Sequence, residues 1–336
     1  MMKKGLYAAL SLMVVALLAA FFLPEHAGED TDKRFFGAVS AMFSKEEAQA
    51  AEEGVSVRVY MTKTDKIENV PLEKYVAGVV ASEMPMSYHK EALNAQAVAA
   101  RSYAVFKTGL YSGEGCLNHP GADVCSSSGC CQGYSPPDEE QYKNAIKAAK
   151  ETENTIAVFR NHPIRAMYHA CSGGHTENAE NVYSEALAYL RGVPSPGEEG
   201  HSRYERSITL SISDLKEAFL SYEDVQFLDA YPISEQIEIL SRTETGRVKD
   251  IRVGLTGMTG AQFRRITGIG SAMFDMQFDD DKALVTFLTR GYGHGVGMSQ
   301  AGAQALAGEG WDYISILKYY YTGVEMDTVD AIVKEV

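Results

Sequence analysis

One acidic residue stands where an acid is chemically useful. Leu72, Tyr75, Val76, Val79 and Val80 recur at helical spacing and form an apolar stripe. Glu83 continues that stripe, and Met84-Pro85 ends the helix, since proline disfavours helical backbone in the residue before it. A carboxylate there is desolvated on the buried face and faces the negative end of the helix dipole. Both effects raise its pKa toward the range of a general acid at neutral pH. The bland alternative is a glutamate paired with a nearby Lys or Arg. The apolar phase favours the acid.

A second chemical cluster lies in the loop from Cys116 to Cys131, which is rich in Gly, Ser and Pro. His119, Cys125, Cys130 and Cys131 could surround one tetrahedral zinc. Three thiolates and an imidazole leave no open position, so such a metal is structural and argues against a zinc hydrolase. The competing chemistry is a disulfide, Cys125 with Cys131, or Cys116 with one of them. Five cysteines are an odd number, so pairing leaves at least one free. Cys171 sits between His169 and His175, but nothing orients either as a base, and a buried structural cysteine is the commoner state.

The elements that position these groups follow from local pattern. A second helix from about Tyr88 to Lys107 is dense in alanine, and its polar exceptions Gln96 and Arg101 could line a cleft beside Glu83. Strands Thr155–Phe159 and Ile164–His169 flank the turn at Arg160–Pro163 and deliver Ser172-Gly173-Gly174. Ser172 offers a hydroxyl to a ligand, and the glycines permit close approach. Ser207–Ser211 reads as a strand, with Ser213 capping a helix through Phe219. Gln236–Arg242 and Arg247–Gly254 read as a hairpin around Thr245-Gly246, and Ala283–Leu288 as a further strand. The last strand enters a glycine-rich turn that presents Tyr292, His294 and Gln300 at the cleft wall. Its glycine spacing is not a dinucleotide loop, since no βαβ unit with a ribose-binding acid follows. Trp311 to Tyr321 reads as a final helix.

The N-terminus is separate in character. Two lysines precede an apolar run, Leu6 to Leu23, long enough to span a bilayer. Acids follow it, which places the N-terminus in the cytoplasm and the rest outside. The expected organisation is a cytoplasmic tip and transmembrane anchor (1–23), a stalk (24–54), a core domain (55–206 and 289–336) and a smaller inserted lobe (207–288). The fold class is α+β, an exported two-lobed domain with a central cleft behind the anchor. The formal net charge of −14 argues against nucleic acid as a partner.

Four blocks, Ala81–Pro85, Glu91–Ala104, Ala170–Glu177 and Gly291–Ala303, resemble in kind and order the signature blocks of the stage II sporulation protein D family. That family cleaves peptidoglycan in spore-forming bacteria and is related to an amidase-enhancer family. The resemblance covers residue 55 to the C-terminus. It implies Glu83 as the catalytic residue of a lytic transglycosylase, acting on peptide-stripped glycan strands and leaving 1,6-anhydro ends. It moves His294 to the active-site side, where Gln96, Arg101, Ser172, Gly173, Gly174, Tyr292 and Gln300 are also expected around the substrate. It also implies a cell-wall amidase and a membrane scaffold protein of the engulfment machinery as partners, in the septal intermembrane space. Some members hold zinc in the cysteine loop, with His-Cys where this chain has Cys130-Cys131. The other class found among the relatives is a non-catalytic, glycan-binding amidase activator.

Overall fold

The structure is a computed structural model that describes residues 55–335 apart from 110–112, 184 and 223. The apolar run and the stalk expected over 1–54 lie outside the described residues. Among the described residues, no helix is long and apolar enough to cross a membrane.

Helices and sheets mix throughout, as the α+β reading expects. Strands β1 (Ser56–Met61) and β2 (Lys66–Pro71) form an antiparallel hairpin, and a short β3 (Val124–Cys125) runs parallel to β1. Helix α1 (Leu72–Glu83) leaves β2 directly at Pro71, a residue preset for a helix start. Its buried face is the predicted stripe, and it stops at Met84, whose extended backbone is what the following proline requires.

Helix α2 (Lys90–Lys107) is the centre of packing, with Ala92 to Val105 buried. Alanines let neighbours approach closely, and α1, α3 (Lys143–Glu151) and β4 (Thr155–Phe159) all contact it. So do α8 (Gln300–Gly308) and α9 (Tyr313–Tyr320) of the C-terminal segment. Between these lie β5 (His162–Pro163), β6 (Tyr168–His169) and a short α4 (Glu180–Tyr183). The turn between β4 and β5 places Arg160 and Asn161 in left-handed conformation. Only two residues of the strand expected over Ile164–His169 pair, as β6 against β13 (Met298–Ser299).

From β7 (Glu205–Ser211) to β12 (Leu284–Arg290) the chain builds two small antiparallel sheets. One orders β11 (Met273–Asp279), β12 and β7; the other orders β10 (Thr256–Thr259), β9 (Val248–Val253) and β8 (Ile237–Arg242). Helices α5 (Ile212–Ala218), α6 (Ile233–Gln236) and α7 (Gly260–Thr267) accompany them. Leu215, Phe219, Ile251, Phe263, Phe274 and Phe287 share one apolar cluster here. The cap of α5 is Ser211, whose hydroxyl accepts from the Asp214 amide, two residues before the predicted Ser213. Strand β14 (Glu325–Thr328) pairs with β4, and α10 (Val329–Glu335) ends the described chain.

Arg101 is a core residue, which corrects its expected place in a cleft. Its side chain is fully buried, and its guanidinium donates to both oxygens of Glu73, to Thr152 and to the carbonyls of Ala149 and Thr155. An arginine on the buried face of an alanine-rich helix must find such partners or not be there. Arg101→Met should therefore strand Glu73 and two carbonyls. Chemical denaturation is expected to show a loss of about 3 kcal/mol, at the low end for a broken buried pair because Glu73 keeps partial exposure.

Candidate functional site

Glu83 ends α1 half-buried. Its Oε1 accepts a hydrogen bond from the Gly133 amide at 2.6 Å, its only partner among the described residues. Burial pushes its pKa up, and the Gly133 bond only partly opposes this. Position 133 suits no larger residue: a Cβ there would lie 2.7 Å from Glu83 Oε1. Gln132, next in line, accepts from the Tyr75 hydroxyl at 3.1 Å. Burial, then the nearby Glu83 charge, raise the pKa of Tyr168. Gly133, Gln132, Tyr75 and Tyr168 thus surround the acid. Only Tyr75 was foreseen, on the stripe that Glu83 continues, although Gly133 follows the Cys130-Cys131 pair by two residues, a signal the sequence does carry.

The raised pKa has a testable sign. A carboxyl whose folded pKa exceeds its unfolded value favours folding below the unfolded pKa, and that contribution is lost as pH rises through the folded pKa. A reaction that begins with protonated Glu83 declines over the same alkaline side. The kcat/KM profile is expected to fall with rising pH at a midpoint above the ordinary carboxylate range, and Glu83→Asp should move that midpoint.

The loop that supplies Gly133 is gathered by thiols. The sulfurs of Cys116, Cys125, Cys130 and Cys131 all lie within 4.8 Å of one another. Cys116 Sγ is 3.7 Å from those of Cys130 and Cys131, which are 3.9 Å apart. A tetrahedral zinc with about 2.3 Å bonds to sulfur sets edges of about 3.8 Å, whereas a disulfide needs about 2.05 Å. The donor set also fits a cation. A hydrogen bond from Cys131 lowers the Cys125 thiol to about 5, while desolvation raises Cys130 to about 11, so the cluster without a cation holds protons.

The expected ligand His119 stands outside this tetrahedron, and Cys116 takes the fourth corner. The tight turn from Cys116 to Ala122, closed by bonds from the His119 amide to the Cys116 carbonyl and from the Cys116 amide to the Ala122 carbonyl, turns the Cys116 sulfur inward. The His119 ring stacks on Tyr60 at 3.9 Å, with Nδ1 3.2 Å from the Cys116 sulfur.

The other foreseen residues fall into separate places. Ser172 is buried and donates to Glu198, whose Oε2 also accepts from the amides of Ser172, Gly173 and Gly174. The close approach that Gly173 permits is to the Arg290–Gly291 backbone, 2.9 Å from where its Cβ would be. Glu198 Oε1 accepts from Ser195 and Ser299, so this buried carboxylate ties three loops together. In sequence it lies in the Pro/Gly-rich run 193–200, where nothing marks it as buried. Gln300 donates to Gln96 at 3.2 Å, and both are buried. The structure places these three expected substrate contacts inside the protein: Ser172 is held by Glu198, and Gln300 donates to Gln96, whose Nε2 has no hydrogen-bond partner among the described residues. Tyr292 lies under the Arg203 guanidinium at 4.3 Å. His294 accepts from the Val296 amide and also bonds the backbone of Tyr168, which links it to the Glu83 surroundings. Burial, then the Arg264 charge, hold its imidazole neutral.

A fold mixing helices with small sheets, a desolvated glutamate and a thiol-gathered loop define a class, and comparison agrees. Residues 60–159 match the family model described as "Stage II sporulation protein". The chain belongs to the stage II sporulation protein D family. It is 33% identical to "Stage II sporulation protein D" of Bacillus subtilis (strain 168) over 287 residues, 82% of this chain and 80% of that protein. It is 32% identical to the protein of that name from Bacillus amyloliquefaciens, over 83% and 81% of the two chains. "Amidase enhancer" of Bacillus subtilis (strain 168) is 28% identical over 74% of this chain and 40% of its own length.

Proposed function

We propose that this protein is a lytic transglycosylase of peptidoglycan. The observation that carries the reading is a carboxyl whose pKa burial raises, beside a hydroxyl-lined trough that has no carboxylate among its described lining residues. Glu83 donates its proton to the glycosidic oxygen between N-acetylmuramic acid and N-acetylglucosamine. The resulting carboxylate then takes the proton of the muramoyl 6-hydroxyl as that oxygen closes on C1. The products are a 1,6-anhydro end and a free sugar hydroxyl, and Glu83 is again protonated. Ordinary glycosidases need two carboxylates because water or the enzyme attacks. An internal hydroxyl removes that need.

The cysteine cluster serves as a structural zinc site that pins the loop supplying the Gly133 amide. We further propose the organisation read from sequence: an N-terminal anchor, a stalk, and a catalytic core carrying a lobe at 207–288, outside the cell membrane. The relationship to an amidase enhancer supports a cell-wall amidase as partner, and it favours a second reading in which the protein binds glycan and activates that amidase. Full-length protein added to peptide-stripped sacculi separates the two. Release of soluble glycan without amidase supports the transglycosylase; intact glycan with a faster added amidase supports the activator.

A further inference from the structure

We infer that Lys63, on the wall of the trough beside Glu83, is the residue that recognises the free lactyl carboxylate of a peptide-stripped muramoyl sugar. This rests on the lytic reading proposed above and names what that reading leaves open, which chemical group of the glycan is sensed and where.

The trough has a volume of about 380 Å³, within the range of small-ligand sites. The cavity next to His294 holds about 20 Å³, room for a water and not a sugar. The trough's walls include Ser82, the Ser126–Ser128 loop and Gly133, and the Gly133 amide donates to the Glu83 carboxylate. The hydroxyls of Ser128 and Ser135 have no hydrogen-bond partner among the described residues, which leaves both free to bond a sugar.

Lys63 is the single charged side chain lining the trough, and it forms no ion pair among the described residues. Its position is fixed from one side. The neighbouring Thr62 amide donates to Ser126 Oγ at 3.0 Å, which pins the β1–β2 turn to the serine loop across the trough. An unpaired ammonium here is significant in a chain with 45 acidic and 31 basic residues, whose overall field repels an anionic glycan. A muramoyl residue carries a lactyl group that is a carboxylate when unsubstituted and a neutral amide when it bears a peptide. An ammonium on a hydroxyl-lined wall distinguishes those two states by charge.

The test uses the full-length Glu83→Gln protein, which binds without turnover. Two ligands are compared by calorimetry: a muramoyl-containing tetrasaccharide with free lactyl carboxylates, and the same tetrasaccharide with them converted to methylamides. The acid is expected to bind about two- to fivefold more tightly, the range of an exposed ion pair, and the preference should shrink as salt rises. Adding Lys63→Ala should bring the ratio to about one, Lys63→Arg should keep it, and Lys63→Glu should invert it. Circular dichroism confirms that each variant is folded. A ratio that Lys63→Ala leaves unchanged overturns the inference, as does equal binding of both ligands to the parent or binding of neither. Cleavage by protein with Glu83 intact is scored separately. No cleavage with the Lys63 pattern present rejects the lytic reading and keeps the subsite; cleavage without that pattern does the reverse.

Discussion

Glu83→Gln is expected to leave a folded protein that binds peptide-stripped glycan and does not cut it. Glutamine matches glutamate in shape, and its carbonyl oxygen still accepts from the Gly133 amide. What it lacks is a proton to give and a site to take one back. Since one group serves as both acid and base in the proposed cycle, the loss should meet or exceed the factor of about 10²–10⁴ usual for a general acid or base. The same substitution removes a desolvated ionisable group, so stability near neutral pH should hold or rise slightly while activity disappears. That combination, inactive and no less stable, separates a catalytic role from a structural one. A variant that keeps full glycan cleavage removes Glu83 from the mechanism.

Metal removal is the second large effect. Protein purified without added zinc should carry about one zinc ion per chain, since a closed four-thiolate site binds tightly. Structural zinc sites contribute about 10 kcal/mol or more to the folding of the segment they hold. A chelator or acidification should then lower Tm by more than about 10 °C, at a few degrees per kcal/mol in a domain of this size. The geometry also ranks the ligands. Cys116→Ser should cost metal, whereas His119→Ala should leave zinc bound, because the His119 ring lies outside the sulfur tetrahedron. Gly133 follows Cys131 by two residues, so cleavage should weaken with the metal, through the position of Glu83. Elemental analysis with a thiol count checks this. A metal-free, fully active protein with two of the cluster's thiols oxidised to a disulfide would falsify the zinc site.

How much of this was legible beforehand varied with the range of the interaction. Helix α1, its stop at Met84 and the desolvation of Glu83 follow from periodicity and one proline, which are local. Strand β4 and the hairpin of β8 and β9 were likewise readable from alternation and turn residues. The partners of Arg101 were not, because Glu73 and Thr152 reach it from other elements and nothing in α2 alone distinguishes a buried arginine from a solvated one. Cys116 against His119 was undecidable by spacing, since both suit a metal and only the turn to Ala122 selects the sulfur. Ser172 and Gly173 looked like a ligand loop for a sound reason, close backbone approach. The approaching backbone is Arg290–Gly291, in a distant part of the chain. Glu198 was missed because a carboxylate in a Pro/Gly loop looks solvated until its seven donor atoms are found, six of them from residues 171–174 and 299 elsewhere in the chain and one from Ser195 in its own loop.

The central claim concerns which bond breaks and what closes it. Mass spectrometry of peptide-free glycan after digestion by the full-length protein decides it. The account predicts fragments ending in 1,6-anhydromuramoyl residues, each 18 Da (one water) lighter than its hydrolytic counterpart, and none from the Glu83→Gln protein. Fragments with reducing muramoyl ends would show that water attacks, and intact strands that no glycosidic bond is cut; either result contradicts the account.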